Sequence, residues 1–189
     1  QPLVVIDDTQ ARSQLQIART QYLVHRAAEL RLIAEQSGSD TLVMPSELTE
    51  SDLPRVQEVL ALQQALFVAR RQSQHGTLEA LDEQMVQLRR QIEGLEETVR
   101  LGERHLASLR AEENDLRGLF AKGLVNNLRL REVERDLLQL EGEIAGRRAE
   151  IGRLGSQLSE NRMLREIRLQ EFHKDVGEQL RDVQARVAE

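Results

Sequence analysis

Cysteine and tryptophan are absent from this chain, and its aromatics are limited to Tyr22, Phe67, Phe120 and Phe172. The lack of cysteine excludes disulfides, thiol nucleophiles and cysteine-ligated zinc, and is neutral about redox compartment. The shortage of aromatics bears on architecture, because large rings supply much of the buried area of a thick globular core. Apolar residues nonetheless make up 40% of the 189 positions. They must be spread thinly, which argues against a compact enzyme and for long helices meeting along leucine seams. No apolar run approaches the roughly 18 residues that a membrane span requires. With 26 basic and 32 acidic side chains the net charge is −6, which opposes nucleic-acid binding.

Proline is scarce too, and Pro45 and Pro54 punctuate the one long irregular stretch. Leu3-Val4-Val5-Ile6 is a short β-branched run that reads as a strand over residues 1–7. Asp7, Asp8 and Thr9 are all good helix N-caps. A first helix is expected over about 8–36, with Leu15, Ala18, Tyr22, Leu23, Ala27, Leu30 and Ala34 as its apolar face. Ser37-Gly38-Ser39-Asp40 ends it. Ser51 or Asp52 is a candidate cap for the next helix, with Pro54 in its first turn. That helix is expected over about 53–122, with a soft point at Ser73-Gln74-His75-Gly76.

From Leu78 to Phe120 apolar residues recur on alternating three- and four-residue steps. Eleven of the thirteen seam positions are large and apolar, and the exceptions are Gly102 and Glu113. A seam sustained over six heptads is the pattern of a left-handed coiled coil. Gly123 suits the left-handed position after a helix, Lys122 the negative helix end, and Asn126 or Asn127 the next N-cap. The seam restarts at Leu130 and continues through Val133, Leu137, Leu140, Ile144, Ile151, Leu154 and Leu158. It slips between Ser159 and Ile167 and is recovered at Leu169, eleven residues after Leu158, a stutter. The two arms, 53–122 and 127–189, match in length at roughly 95–105 Å each, so they read as one antiparallel hairpin. The expected fold is all-α: a long antiparallel coiled-coil hairpin over 8–189, with a third, shorter helix packed near its base and a tip at about 119–128. The rival is an end-to-end stack of the first two helices. Gln1 is not an initiator Met, and the last helix runs to Glu189 without a cap. The expectation is therefore a piece of a longer protein.

Little here reads as chemistry. His25, His75, His105 and His173 have no second histidine at helical spacing, so metal ligation is not expected. Carboxylate pairs such as Glu96-Glu97 and Glu112-Glu113 read as solvated coiled-coil faces. Glu113, on the seam, is expected to snorkel or to pair with an arginine of the other arm. No catalytic residue and no cofactor site is assigned. Gly94, Gly102, Gly118, Gly142, Gly146, Gly152 and Gly155 lie in the interiors of expected helices. Each is either a tolerated surface position or a place of close helix approach, and Gly102 fits the second reading best. At the tip, Leu119, Phe120, Leu124, Val125 and Leu128 exceed what a two-helix end can bury, so part of them is expected to meet a partner.

Two stretches carry a resemblance. Leu3-Val4-Val5-Ile6-Asp7-Asp8-Thr9-Gln10-Ala11 resembles the exit from the lipoyl domain of periplasmic adaptors, also called membrane fusion proteins. Leu119-Phe120-Ala121-Lys122-Gly123-Leu124-Val125, followed by Leu130-x-x-Val133-Glu134, is similar to the hairpin tip of the haemolysin-D-like adaptors of type I secretion systems. The family's tip motif is an Arg, a Leu four residues later, and a Ser or Thr seven beyond. Leu119 matches the Leu and Asn126 stands at the Ser/Thr position. Asp115 stands at the Arg position, with Arg117 two residues away. The resemblance implies a non-enzymatic arm whose tip residues, Leu119, Asn126, Arg117, Gly123, Lys122 and Leu124, dock to an outer-membrane channel. It further implies a periplasmic location in a protein anchored in the inner membrane beside an ABC exporter. It also implies a homo-oligomer of six copies, with residues 1–7 as the remnant strand of a lipoyl-like domain. The alternative is a generic coiled-coil spacer or dimerisation module of a structural protein.

Overall fold

A computed structural model describes residues 9–51 and 53–188. Its helices are α1 (Thr9–Gln36), α2 (Ser46–Thr49), α3 (Pro54–Ala121) and α4 (Asn127–Ala188). The expected strand over 1–7, and the capping roles of Asp7, Asp8 and Asp52, lie outside the described residues. The described residues form two compact units, one up to residue 79 together with those from 166 on, and one from residues 80–165.

The first unit holds three long helical segments. Leu23 and Ala27 of α1 pack with Leu48 of α2 and Val56 of α3. Leu32 packs with Val176 and Leu180 of α4, beside Phe172 and Val183. Further along, Arg31 Nε donates to Gln63 Oε1 at 2.6 Å, and Glu35 meets Arg70. Contact numbers rise together on α1 and α3, so these helices run parallel, and α1 lies beside α3 rather than stacked on its end. That geometry needs a return segment, and residues 37–53 supply it. Gly38, at φ 67°, closes α1: its N–H donates to Glu35 O, and Ser39 N–H donates to Ala34 O. These two bonds satisfy carbonyls that the helix end leaves free. Arg71 then holds the turn by donating to the backbone and carboxylate oxygens of Asp40.

Three details depart from the sequence reading. The return segment is not wholly irregular: Ser46–Thr49 forms a single helical turn behind Pro45, whose φ of −62° already suits a helix start. That turn exists to bury Leu48, which period alone could not announce over four residues. Leu53 occupies the cap position of α3, while Ser51 Oγ only accepts from Leu53 N–H at 3.4 Å. The Gln57 amide instead donates to the carbonyls of Thr49 and Ser51, at 3.2 and 2.8 Å. Finally, α3 runs unbroken through Ser73–Gly76, so the expected soft point is continuous helix.

The second unit is a two-helix antiparallel coiled coil. Met85 and Val99 of α3 are buried, as are Leu130, Val133, Leu137, Ile144 and Leu154 of α4. Interarm pairs run along its flanks: Arg148 with Glu103, Arg110 with Glu141 at 2.7 Å, and Arg165 with Asp82 at 3.0 Å. Such flanking pairs add little stability each, yet together they penalise other registers. The stutter has a specific form. Asn161 and Arg165 take half-buried positions, while Met163 and Leu164 turn outward. Asn161 Nδ2 reaches Gln84 Oε1 at 3.4 Å, so polar pairs replace leucine contacts there. Gly102 is buried, and a Cβ built on it would lie 3.0 Å from Ile144 Cγ1. A Cβ on Gly94, Gly118, Gly142, Gly146, Gly152 or Gly155 would meet nothing within 4 Å. Close approach therefore explains Gly102, and the other six open outward.

Candidate functional site

The turn between α3 and α4 is organised by its backbone. Gly123, at φ 72°, donates its N–H to Phe120 O at 2.9 Å, and Leu124 N–H donates to Leu119 O at 3.0 Å. This pair of bonds needs a left-handed residue, which glycine adopts without a Cβ clash. The same motif sets Leu124 and Leu119 at its two ends, where an apolar contact commonly accompanies it. Asn126 then starts α4: its Oδ1 accepts from Arg129 N–H at 3.1 Å, the third residue of the helix. Of the two asparagines offered by the sequence, Asn126 is the cap.

Apolar groups crowd this end. Val133 and Leu130 close the seam from the α4 side and are buried. Leu124 is 68% exposed and Leu128 63%, and Leu119 and Phe120 are also exposed. Phe120, placed on the seam by its spacing, lies at its open end, because the chain turns away before a partner residue can cover it. Four large apolar side chains thus face solvent within ten residues. Phe120 and Leu128 join Leu119 and Leu124 as surface that the motif comparison alone did not single out. Their signal in the sequence was the excess of apolar residues over what two helix ends can cover.

Charged residues lie beside these apolar groups. Arg117 donates to Glu113 of its own helix, and its Nη2 lies 3.4 Å from Glu134 Oε1 on the opposite arm. Glu113 is therefore paired first within α3, and only through Arg117 with the other arm. Arg129 Nη2 donates to Glu112 Oε1 at 2.8 Å and Nη1 to Glu132 at 3.4 Å. Hydrogen bonds to Glu112 first, then Glu132, raise the Arg129 pKa above its ordinary value. Asp115 and Lys122 are exposed. Among the described residues no group of three or more His, Asp or Glu could hold a metal ion. The end of the hairpin thus presents exposed apolar side chains next to charged ones.

A family model described as AprE, long alpha-helical hairpin, matches residues 11–189. The chain is 27% identical, over its whole length, to the type I secretion system membrane fusion protein PrsE of Rhizobium meliloti (strain 1021). It is 30% identical, over 97% of its length, to the alkaline protease secretion protein AprE of Pseudomonas aeruginosa. In both cases it spans 43% of the relative, less than half. The fold also resembles the crystal structure of the soluble domain of LipC, a membrane fusion protein of a type I secretion system. There the TM-score is 0.88 at 30% identity, covering all of this chain and 89% of that one.

Proposed function

Because the chain belongs to the AprE family of long α-helical hairpins, a family of non-enzymatic type I secretion membrane fusion proteins, we propose that it is the spacer and docking arm of a protein-secretion adaptor. In this reading the whole protein is anchored in the bacterial inner membrane beside an ABC exporter. The hairpin stands in the periplasm, and its tip meets an outer-membrane channel. The observation that carries the reading is the apolar cluster of Leu119, Phe120, Leu124 and Leu128, held out by the Gly123 turn. Leu119 is the central contact. Asn126 orders the start of α4 beneath it, and Arg117 ties the two arms, so these two support the tip more than they touch the partner. Gly123 shapes the turn, Leu124 extends the contact, and Lys122 borders it.

Six copies associate side by side in the assembly. Two outward faces suit that packing. On α4, Gly142, Ala145, Gly146, Ala149 and Gly152 are exposed and small, allowing another helix to approach closely. On α3, Ala61, Leu62, Ala65, Leu66 and Ala69 form an exposed, uncharged strip.

The test is secretion by cells carrying the full-length protein. Leu119→Asp, and separately deletion of 119–126, should abolish export while far-ultraviolet circular dichroism stays helical. Export that survives both changes removes the docking role from the tip.

A further inference from the structure

Buried charge is out of place in a thin coiled-coil protein, and the first unit buries Arg31 and Glu35 beside the partly exposed Arg70 and Asp175. Glu35 of α1 has a side chain only 2% exposed. Arg31, one helical turn earlier, donates to its Oε1 at 2.5 Å. Arg70 Nε of α3 lies 3.2 Å from Oε2, close enough for ion pairing, although that oxygen receives no aligned hydrogen bond. Arg70 is drawn two ways: its Nη2 donates to Asp175 of α4 at 2.6 Å, and its guanidinium carbon sits 5.7 Å from the centre of the Phe172 ring. One arginine thus joins a carboxylate on α1 to a carboxylate and an aromatic face on α4. Two positive and two negative charges balance within the cluster.

The apolar contacts of α1 say little about its register. Leu23-x-x-x-Ala27 recurs seven residues later as Leu30-x-x-x-Ala34. A slide of one heptad lays one pair in the other's place. The same slide brings Val24 and Ala28 to the places of Arg31 and Glu35, and Arg70 loses its α1 partner. Breaking a buried pair in this way costs far more than shifting an alanine. Among the apolar contacts, Leu32 on Val176 and Leu180 opposes the slide, which would bring His25 to its place.

We propose that Arg31, Glu35, Arg70 and Asp175 form a clamp that fixes the axial position of α1 against α3 and α4, which the repeating Leu23/Ala27 and Leu30/Ala34 pairs leave open. Arg70 is the positioning residue, since its guanidinium pairs with Glu35 of α1 and donates to Asp175 of α4. The clamp acts as a single buried polar residue does in a coiled coil, selecting one register at some expense of stability.

The chain has no cysteine, so Gln21→Cys and Gln64→Cys, both at exposed positions, place two nitroxides on α1 and α3 without competing thiols. Pulsed electron paramagnetic resonance on the full chain should give one narrow distance in the parent background. Adding Arg31→Leu, Glu35→Leu and Arg70→Met replaces the buried ions by apolar groups of similar size, which keeps helices packed. A second population should then appear, displaced by up to ~6 Å for one turn or ~10 Å for one heptad, at unchanged helix content. Leu32→Ala with the clamp intact should retain the single distance. A single unchanged distance in the clamp-free variant overturns the proposal. So does a featureless distribution there, since it would make the cluster an adhesive rather than a register. Any departure from one distance in Leu32→Ala also overturns it.

Discussion

Glycine-to-alanine exchange separates the one tight helix crossing from the open glycines, and the structure sets both signs. At Gly142, Gly146 and Gly152 a new Cβ meets nothing within 4 Å. Each exchange there removes backbone freedom from the unfolded chain and should stabilise by ~0.5–1 kcal/mol. At Gly102 the new Cβ lies 3.0 Å from Ile144 Cγ1 and 3.3 Å from Cδ1. The Cδ1 atom can swing away, but Cγ1 cannot, because a β-branched side chain on a helix has essentially one χ1 setting. Relief must come from separating the helices, and Ile144 is buried. Overpacking of this kind costs ~1–3 kcal/mol, which outweighs the helix-propensity gain of ~1 kcal/mol. Gly102→Ala should therefore lose ~0.5–1 kcal/mol, and Gly102→Val, which adds two more carbons, ~2–3 kcal/mol. Urea unfolding followed by circular dichroism reads both series, and the slope with denaturant should stay constant. If Gly102→Ala stabilises as much as Gly146→Ala, the close approach of α3 and α4 at Ile144 is refuted.

Two further outcomes follow from the turn and from the charge cluster. Asn126→Ala should cost ~1 kcal/mol through loss of the helix cap, and Asn127→Ala far less. Gly123→Ala should cost ~1–2 kcal/mol because φ is 72° there; thermal melts of the three variants check the ranking. At Asp175, hydrogen bonds from Arg70, with a smaller contribution from Gln179, hold the carboxyl below the ordinary carboxylate range. A depressed carboxyl stabilises above its unfolded pKa, near 4, and that contribution disappears as pH falls through the lower folded value. Asp175 is half exposed, so Asp175→Asn should cost under about 1 kcal/mol at pH 7 and less at acid pH. Denaturant midpoints at neutral and acid pH test this, and an equal loss at both excludes a role for the charge.

The tip was legible because its signals are local. A positive-φ glycine, a capping asparagine and an apolar excess within ten residues each act through the nearest turn of helix. Which asparagine caps, and how far Phe120 is left uncovered, depended on where the α4 seam begins. Glu113 shows the limit of pairing arguments. Its seam position suggested that it snorkels or meets an interarm arginine, but Arg117, four residues along the same helix, is closer and needs no register to be met. The stutter was read correctly as a slip, yet periodicity could not name its fillers. Asn161 and Arg165 enter the interface because Gln84 and Asp82 stand opposite to receive them.

Sequence alone determined the elements that obey short-range rules: the long helices, their seam, the Gly123 turn and the antiparallel pairing it enforces. Those follow from side-chain period and from a residue's own backbone preferences, which involve neighbours a few positions away. Tertiary structure decided what depends on residues distant in the chain. It laid α1 beside α3, folded Ser46–Thr49 around Leu48, and buried Glu35 between two arginines, one of them 35 residues away. Glu35 reads as an ordinary surface carboxylate in the sequence, because nothing within a turn of it reveals that Arg70 will close over it.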